Sequence, residues 1–373
     1  MTSPQADVYQ QEQQAAVIAA VAAAGVAAGL AGYQLANFTI FMRFLRSIWP
    51  AVLAGRQRAA WSARNYFDRE RQRVTGLPQL EVPLLPEYRF DWFVQDMKPA
   101  YQMAVKQIRV ARESEKIGVP VPPPRVEAAV RVTAAKVVAN AGREQMIAAV
   151  ETDALLKEIA SPNLRESRKE LAKTRLRKTW GDQWVEDAVQ ELDVEHPDVV
   201  GWARVATGDE TCAWCMMLVS RGPVYMDADT AGAKYTSSET LNALDDGVVV
   251  PMDEWHTGCD CTVVPVWDKD DWPGKQQADD ALERWNEAAA DFVFDPDKKY
   301  RVRVEGKDGK YTFKNVTLEE GAARYRETLN NLRFTVEGRD PQERQRVSKD
   351  QLDELLAAIP GAAKLFAKEL TRR

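Results

Sequence analysis

Apolar residues recur at helical spacing through most of this chain and alternate like strands in only a few short pieces. From Gln13 to Met42 no residue is charged, and Ala15 to Leu30 is almost entirely Ala, Val, Ile, Leu and Gly. The region from about 10 to 74 reads as one or two helices, with Pro50 breaking or kinking the run. Beyond it, Trp61, Arg64, Tyr66, Phe67, Arg69 and Arg71 mix aromatics and charges at the spacing of an amphipathic helix. Three prolines between 76 and 87 mark a linker, and a helix is expected from about 90 to 114. Val119-Pro120-Val121-Pro122-Pro123-Pro124 is a stiff spacer, followed by an alanine-rich helix from 125 to about 159. Trp184, Val185, Ala188, Val189 and Leu192 repeat at helical spacing up to His196-Pro197.

After residue 199 the pattern changes. Short β-prone pieces at 222–225, 248–250 and 262–266 frame a compact module, with a short helix plus loop expected between 230 and 246. A short helix to about Ala290 follows Trp272-Pro273-Gly274. Residues 300–304 and 311–316 alternate around Gly306-Lys307-Asp308-Gly309, a hairpin signal. Thr317 with Glu320, and Ser348 with Gln351, form capping-box patterns that open helices to about 332 and 370. The fold expected is α+β and mainly α. Long N-terminal helices (1–75) and a helical region with proline spacers (76–198) precede a small Cys/His zinc-knuckle-like module (199–272). A hairpin-plus-helices region (273–373) ends the chain.

The formal net charge of −6 argues against a globally basic DNA-coating protein, although a local basic stretch can still meet phosphates. Such a stretch is Arg165, Arg168, Lys169, Lys173, Arg175, Arg177 and Lys178, against only two acids between 165 and 178. A run of this kind is more often a solvated helix face than a contact for DNA or an acidic partner. The first residues lack the basic n-region of a signal peptide. The uncharged segment is long enough to span a bilayer, and membrane contact is conceivable through residues 15–35. Alanine and glycine dominate it, however, so a helix buried against neighbours is the preferred reading. Gly25, Gly29 and Gly32 would allow close helix approach in either setting.

All four cysteines and one of the two histidines fall between 212 and 261. Cys212-x2-Cys215 and His256-x2-Cys259 are two pairs at the spacing with which a chain wraps a tetrahedral ion, and Cys261 is a fifth candidate. Zinc takes four ligands. On a regular strand Cys259 and Cys261 would point to opposite faces, so only one could ligate; a turn at Gly258 would let both reach the ion and displace His256. Buried free thiols, or a disulfide formed outside the cytosol, are the alternatives. Neither a His-Glu-x-x-His run nor the deaminase signature is present, which favours a structural zinc over a catalytic one. A serine protease would need a serine beside a histidine base, and the chain offers only His196 and His256. A non-catalytic role is therefore preferred, with protease activity as runner-up and a zinc-dependent nucleic-acid-binding protein as second alternative.

Three stretches carry a resemblance: Arg204 to Cys215; Ser220-Arg221-Gly222-Pro223-Val224-Tyr225; and His256-x2-Cys259-x-Cys261 ahead of a Val-Val-Pro strand. They resemble the MuF-like minor head proteins of tailed bacteriophages, the actinobacterial-phage type often labelled capsid maturation protease. Trp61 and the Ala63-Arg64-Asn65-Tyr66-Phe67 run are also similar to theirs. The match is specific over about 200–267, loose before it and not evident after about 290. The family pattern often ends Cys-Arg-Cys; here it is Cys259-Asp260-Cys261, which weakens any DNA contact at that point. The resemblance implies a few copies per particle and a place inside the capsid near the portal, reached from the host cytoplasm during assembly. It implies the portal protein and capsid or scaffold proteins as partners, weak contact with packaged DNA, and a role in head morphogenesis or in genome packaging and delivery.

Overall fold

The structure, a computed structural model, describes residues 4–85, 88–116, 126–190, 198–206, 211–226, 231, 261–305 and 311–337. Three long helices form its frame: α1 (Pro4–Ala31), α2 (Phe38–Thr75) and α5 (Val126–Ala160) pack against one another. α1 buries Ala16, Ala20, Ala24 and Ala28, a row at i, i+4 spacing that faces α2 and α5. Side chains this small let the backbones approach closely. A Cβ on Gly55 of α2 would stand 3.0 Å from the Ala16 carbonyl oxygen and 3.1 Å from a Val138 methyl. Nearby, Gln13 donates from Nε2 to the Ala59 carbonyl at 2.7 Å, fixing the register of α1 on α2.

A 3-10 turn (Gly32–Ala36) separates α1 from α2, and the Asn37 side chain caps α2 by accepting from the Ile40 N–H. α2 ends at Gly76, whose φ of 73° is the left-handed conformation of a helix C-cap. Of the break or kink expected at Pro50, the break is absent, since α2 continues through it. Pro50 faces solvent, while Leu45, Ile48 and Val52 on the opposite side are buried. Burial of large aliphatic side chains at about 1.5–3 kcal/mol each outweighs a proline penalty of about 3 kcal/mol. The helix expected over 90–114 is instead split into α3 (Phe90–Asp96) and α4 (Lys98–Lys116). Pro99 explains the split, since it fits the first turn of α4 but could not donate within a continuous helix.

α2 and α5 are also joined by charge. Arg56 meets Glu144 at 2.8 Å and Arg71 meets Asp153 at 2.7 Å, with all four side chains buried. α6 (Glu166–Trp180) and α7 (Asp182–Gln190) close over the C-terminal half of α5 through Leu176, Val185, Leu155, Leu156 and Ile159.

Strand β1 (Gly201–Ala206) pairs antiparallel with β2 (Cys261–Val266), Gly201 opposite Val266 and Ala206 opposite Cys261. Both strands are buried on both faces. One face meets the helical frame: the rings of Phe67 and Trp267 lie 5.8 Å apart, and the Tyr9 hydroxyl lies 3.5 Å from the Thr262 hydroxyl. α8 (Ala213–Val219) and α9 (Lys275–Ala290) pack on the other side. The expected hairpin is present as β3 (Lys299–Glu305) with β4 (Tyr311–Thr317), followed by α10 (Glu320–Glu337), which rests on α8 and α9. The molecule is mainly helical with a few small strands, as the pattern predicted. The expected helix from 348 to 370 and the pieces at 230–246 and 248–250 lie outside the described residues.

Candidate metal centre at the helix–strand junction

The local fold brings together sulfurs from distant parts of the sequence. Cys212 sits at the N-cap of α8, in extended conformation, and its sulfur accepts the Cys215 N–H at 3.5 Å. That N–H···S contact closes the small loop of a Cys-x2-Cys pair. Cys215 then points inward from the first turn of α8. Cys261 opens β2, and its sulfur lies 3.4 Å from that of Cys215, both fully buried.

Two buried arginines converge on Cys261 from opposite sides. Arg204, on β1, donates from Nη1 to the Cys261 sulfur at 3.5 Å and from Nε to the Ala231 carbonyl at 2.6 Å. Arg143, on α5, donates from Nη2 to the Cys261 carbonyl at 2.8 Å. A guanidinium can only donate, so the Cys261 sulfur accepts from Arg204, while its S–H can point to the Cys215 sulfur. Beside it, burial raises the Tyr9 hydroxyl to about 12, opposed by its bond to Thr262 and by Arg143. Tyr9 stacks on Tyr66 at 4.6 Å, and burial pushes Tyr66 up as well. These are neutral phenols in a dry wall.

Of the five predicted ligands, Cys212, Cys215 and Cys261 come to the same junction. His256 and Cys259 lie outside the described residues, as does His196. No group of three or more metal-binding side chains closes around one point among the described residues. The donor set is nonetheless of the right kind: two buried sulfurs in contact, a third at an N-cap with its knuckle-type N–H···S bond, and a cationic donor on one sulfur. Ser220, the serine of the Ser-Arg-Gly-Pro motif, turns its hydroxyl to the Met217 carbonyl at 2.8 Å.

The basic stretch forms most of α6, and part of its charge is answered inside the chain. Lys173 pairs with Glu170 at 2.7 Å, Arg175 with Glu151 at 3.7 Å and Arg177 with Asp182 at 3.6 Å. Arg165, Arg168 and Lys178 are exposed and Lys169 is half-buried. The residues missed from sequence are Arg204 and Arg143. Arg204 is a lone cation inside an otherwise apolar run, Gly-Trp-Ala-Arg-Val-Ala, a pattern that signals a buried and therefore partnered charge, whereas Arg143 is followed by Glu144 and Gln145 and carries no such signal.

The profile of the VG15 protein family matches residues 1–288, which takes in the helical frame, both cysteine-bearing elements and α9. The chain belongs to the VG15 protein family. It is 30% identical over 294 residues to the Gene 15 protein of Mycobacterium phage D29, covering 70% of this chain and 84% of that protein. It is 29% identical over 299 residues to the Gene 15 protein of Mycobacterium phage L5, covering 71% and 81%. These relatives place the VG15 chain among bacteriophage proteins. No solved structure matches it. The β3–β4 hairpin and α10 lie beyond the VG15 match.

Proposed function

We propose that this VG15 protein is a minor structural head protein of a tailed phage. It acts beside the portal in head assembly and in genome packaging or delivery, with a structural zinc fastening its cysteine module. The observation that carries this reading is the burial of Cys215 and Cys261 in mutual contact beneath the helical frame. Sulfurs so enclosed can hold elements together but cannot be offered to a substrate. The ligands would be Cys212, Cys215 and Cys261, completed by His256 or Cys259. Zinc would supply a cross-link between α8 and β2, a small layer with a thin apolar core of its own.

The phage relatives and the MuF-like motifs support a place in the virion, near the portal protein and the capsid or scaffold proteins. The internal pairing of Lys173, Arg175 and Arg177 reduces the charge α6 offers to packaged DNA, so any DNA contact is secondary. Quantitative mass spectrometry of purified particles tests the proposal. A full-length chain at a fixed, low ratio to the portal protein is expected. Its absence from mature particles, with presence in immature ones beside a processed capsid protein, would overturn the structural role in favour of capsid maturation protease activity. Elemental analysis of the purified protein should find about one zinc per chain, consistent with a closed four-ligand structural site.

A further inference from the structure

The outward side of α2 carries charge that nothing among the described residues answers. α2 holds eight arginines, no lysine and only two acids, Asp68 and Glu70, both buried. Arg56, Arg71 and Arg73 are used inside the protein, on Glu144, Asp153 and Glu70. Arg43, Arg46, Arg58 and Arg69 are exposed and make no ion pair among the described residues. Lys275 and Lys173, on other surface helices, are each answered one turn away, by Asp279 and Glu170. α2 instead keeps its acids in and leaves these arginines out.

The arginines form a row. Arg58 lies fifteen residues after Arg43 and eleven before Arg69, close to four and three helical turns. At about 100° per residue the three fall within about a quarter of the circumference, with the exposed Trp61 among them and Arg46 on the flank. From Arg43 to Arg69 the row runs about 39 Å at about 1.5 Å per residue. Leu45, Ile48 and Val52 hold the far side of α2 in the core, so the row faces away from the helical frame.

We propose that this row docks on the phosphate backbone of double-stranded DNA without reading its sequence. One turn of duplex, about 34 Å, brings both strands past one side within the length of the row. Guanidinium forks suit phosphate, and the row is all arginine. An acidic protein surface would be met through a mixed patch with several apolar anchors, and Trp61 is the one large apolar side chain here. At about 0.1 M salt, charges more than about 10 Å apart are largely screened, so a local row acts despite the net charge of −6. That the duplex is the packaged genome rests on the head-protein reading; the binding itself does not, and is measured on the purified chain.

Fluorescence anisotropy of a labelled duplex of unrelated sequence, about three helical turns long, titrated with the full chain, tests this. Log K should fall against log salt with a slope of about −3, as for three to four phosphates engaged. Arg43→Glu, Arg58→Glu and Arg69→Glu together should weaken binding at least tenfold and flatten the slope, with an unchanged circular dichroism spectrum and thermal midpoint. The same three positions changed to lysine should keep the slope and bind within about threefold of wild type. Arg165→Glu, Arg168→Glu and Lys169→Glu together, the same change in net charge placed on α6, should cost less than about threefold. A wild type that does not bind, or equal losses from the α2 and α6 reversals, overturns the proposal. So does polyglutamate that binds as tightly as the duplex and is lost in the α2 reversal, which would give the row to an acidic protein. Particles lacking the chain would remove the head-protein reading and leave the DNA contact standing.

Discussion

Replacing Gly55 with alanine sets two known effects against each other. In a helix interior the change ordinarily stabilises by about 1 kcal/mol, because glycine loses more backbone freedom on folding. Here the added Cβ would stand 3.0 Å from the Ala16 carbonyl oxygen and 3.1 and 3.3 Å from the two Val138 methyls. Backbone and a β-branched side chain inside a helix cannot swing away, so the helices must separate, at a cost of about 1–3 kcal/mol. Overpacking therefore wins, and Gly55→Ala should lose about 1 kcal/mol net. Gly29→Ala is the control. Its Cβ would meet only the Glu127 carboxylate at 3.5 Å, an ordinary contact, so the propensity gain of about 0.5–1 kcal/mol should appear. Gly25→Ala should fall between, since its obstacle is the movable end of Arg131. Urea unfolding followed by far-ultraviolet circular dichroism measures all three. If Gly55→Ala stabilises as much as Gly29→Ala, α1 does not sit against α2 and α5 as described.

Other perturbations test other joints. Asp68 is buried, and desolvation raises its carboxyl from 3.8 to about 6, although it accepts the Leu80 and Glu81 N–H groups. Its folded value lies above the unfolded one, so its contribution is fully present below about pH 4 and is lost as pH rises through about 6. Asp68→Asn keeps an acceptor without the charge; it should raise stability at pH 7 by about 2 kcal/mol and flatten the profile between about pH 4 and 7, and an unchanged profile refutes the assignment. Arg143→Met removes the donor to the Cys261 carbonyl and should destabilise by about 1–3 kcal/mol in the same urea assay; no change would show that this bond does not tie α5 to β2. Cys261→Ser should abolish zinc retention on dialysis as measured by elemental analysis, and retention at the wild-type level would remove Cys261 from the ligand set.

The helical frame was legible because long alanine-rich runs and proline spacers are local signals. The hairpin was legible for the same reason, as its turn and alternation lie within a single short segment. The sequence left open whether Pro50 breaks the helix, because its cost is local while the compensating burial of Leu45, Ile48 and Val52 is tertiary. The split at Met97 was missed because Pro99 can sit in a first helical turn as readily as it can interrupt one. The cysteine spacing pointed to a shared centre, but it could not show that Cys215 and Cys261 touch across a helix–strand junction. Nor could it find Arg143, which lies more than a hundred residues from the atom it binds. The exposure of one whole face of α1 was also hidden, since a helix apolar on all sides does not declare which side is covered.

The junction at β2 makes a last expectation sharper than loss of a local module. Cys261 offers its sulfur to the proposed metal and its carbonyl to Arg143 of α5, while the adjacent Thr262 meets Tyr9 of α1. Phe67 of α2 packs on Trp267, one residue past the end of the same strand. α1 and α5 therefore touch a strand whose first residue is a candidate ligand, and α2 touches the residue just past its end. Removing the metal should loosen β1 and β2 and then the parts of α1, α2 and α5 that rest on them. α6 and α7, attached to the far half of α5 through Leu155 and Ile159, should feel it least. Hydrogen–deuterium exchange with and without a chelator reads this directly. Faster exchange is expected around Arg143 and along β1 and β2, with little change in α6. Uniform acceleration would mean global unfolding, and acceleration confined to α8 would mean that the metal holds only its own loop; either result would break the link from the sulfurs to the frame.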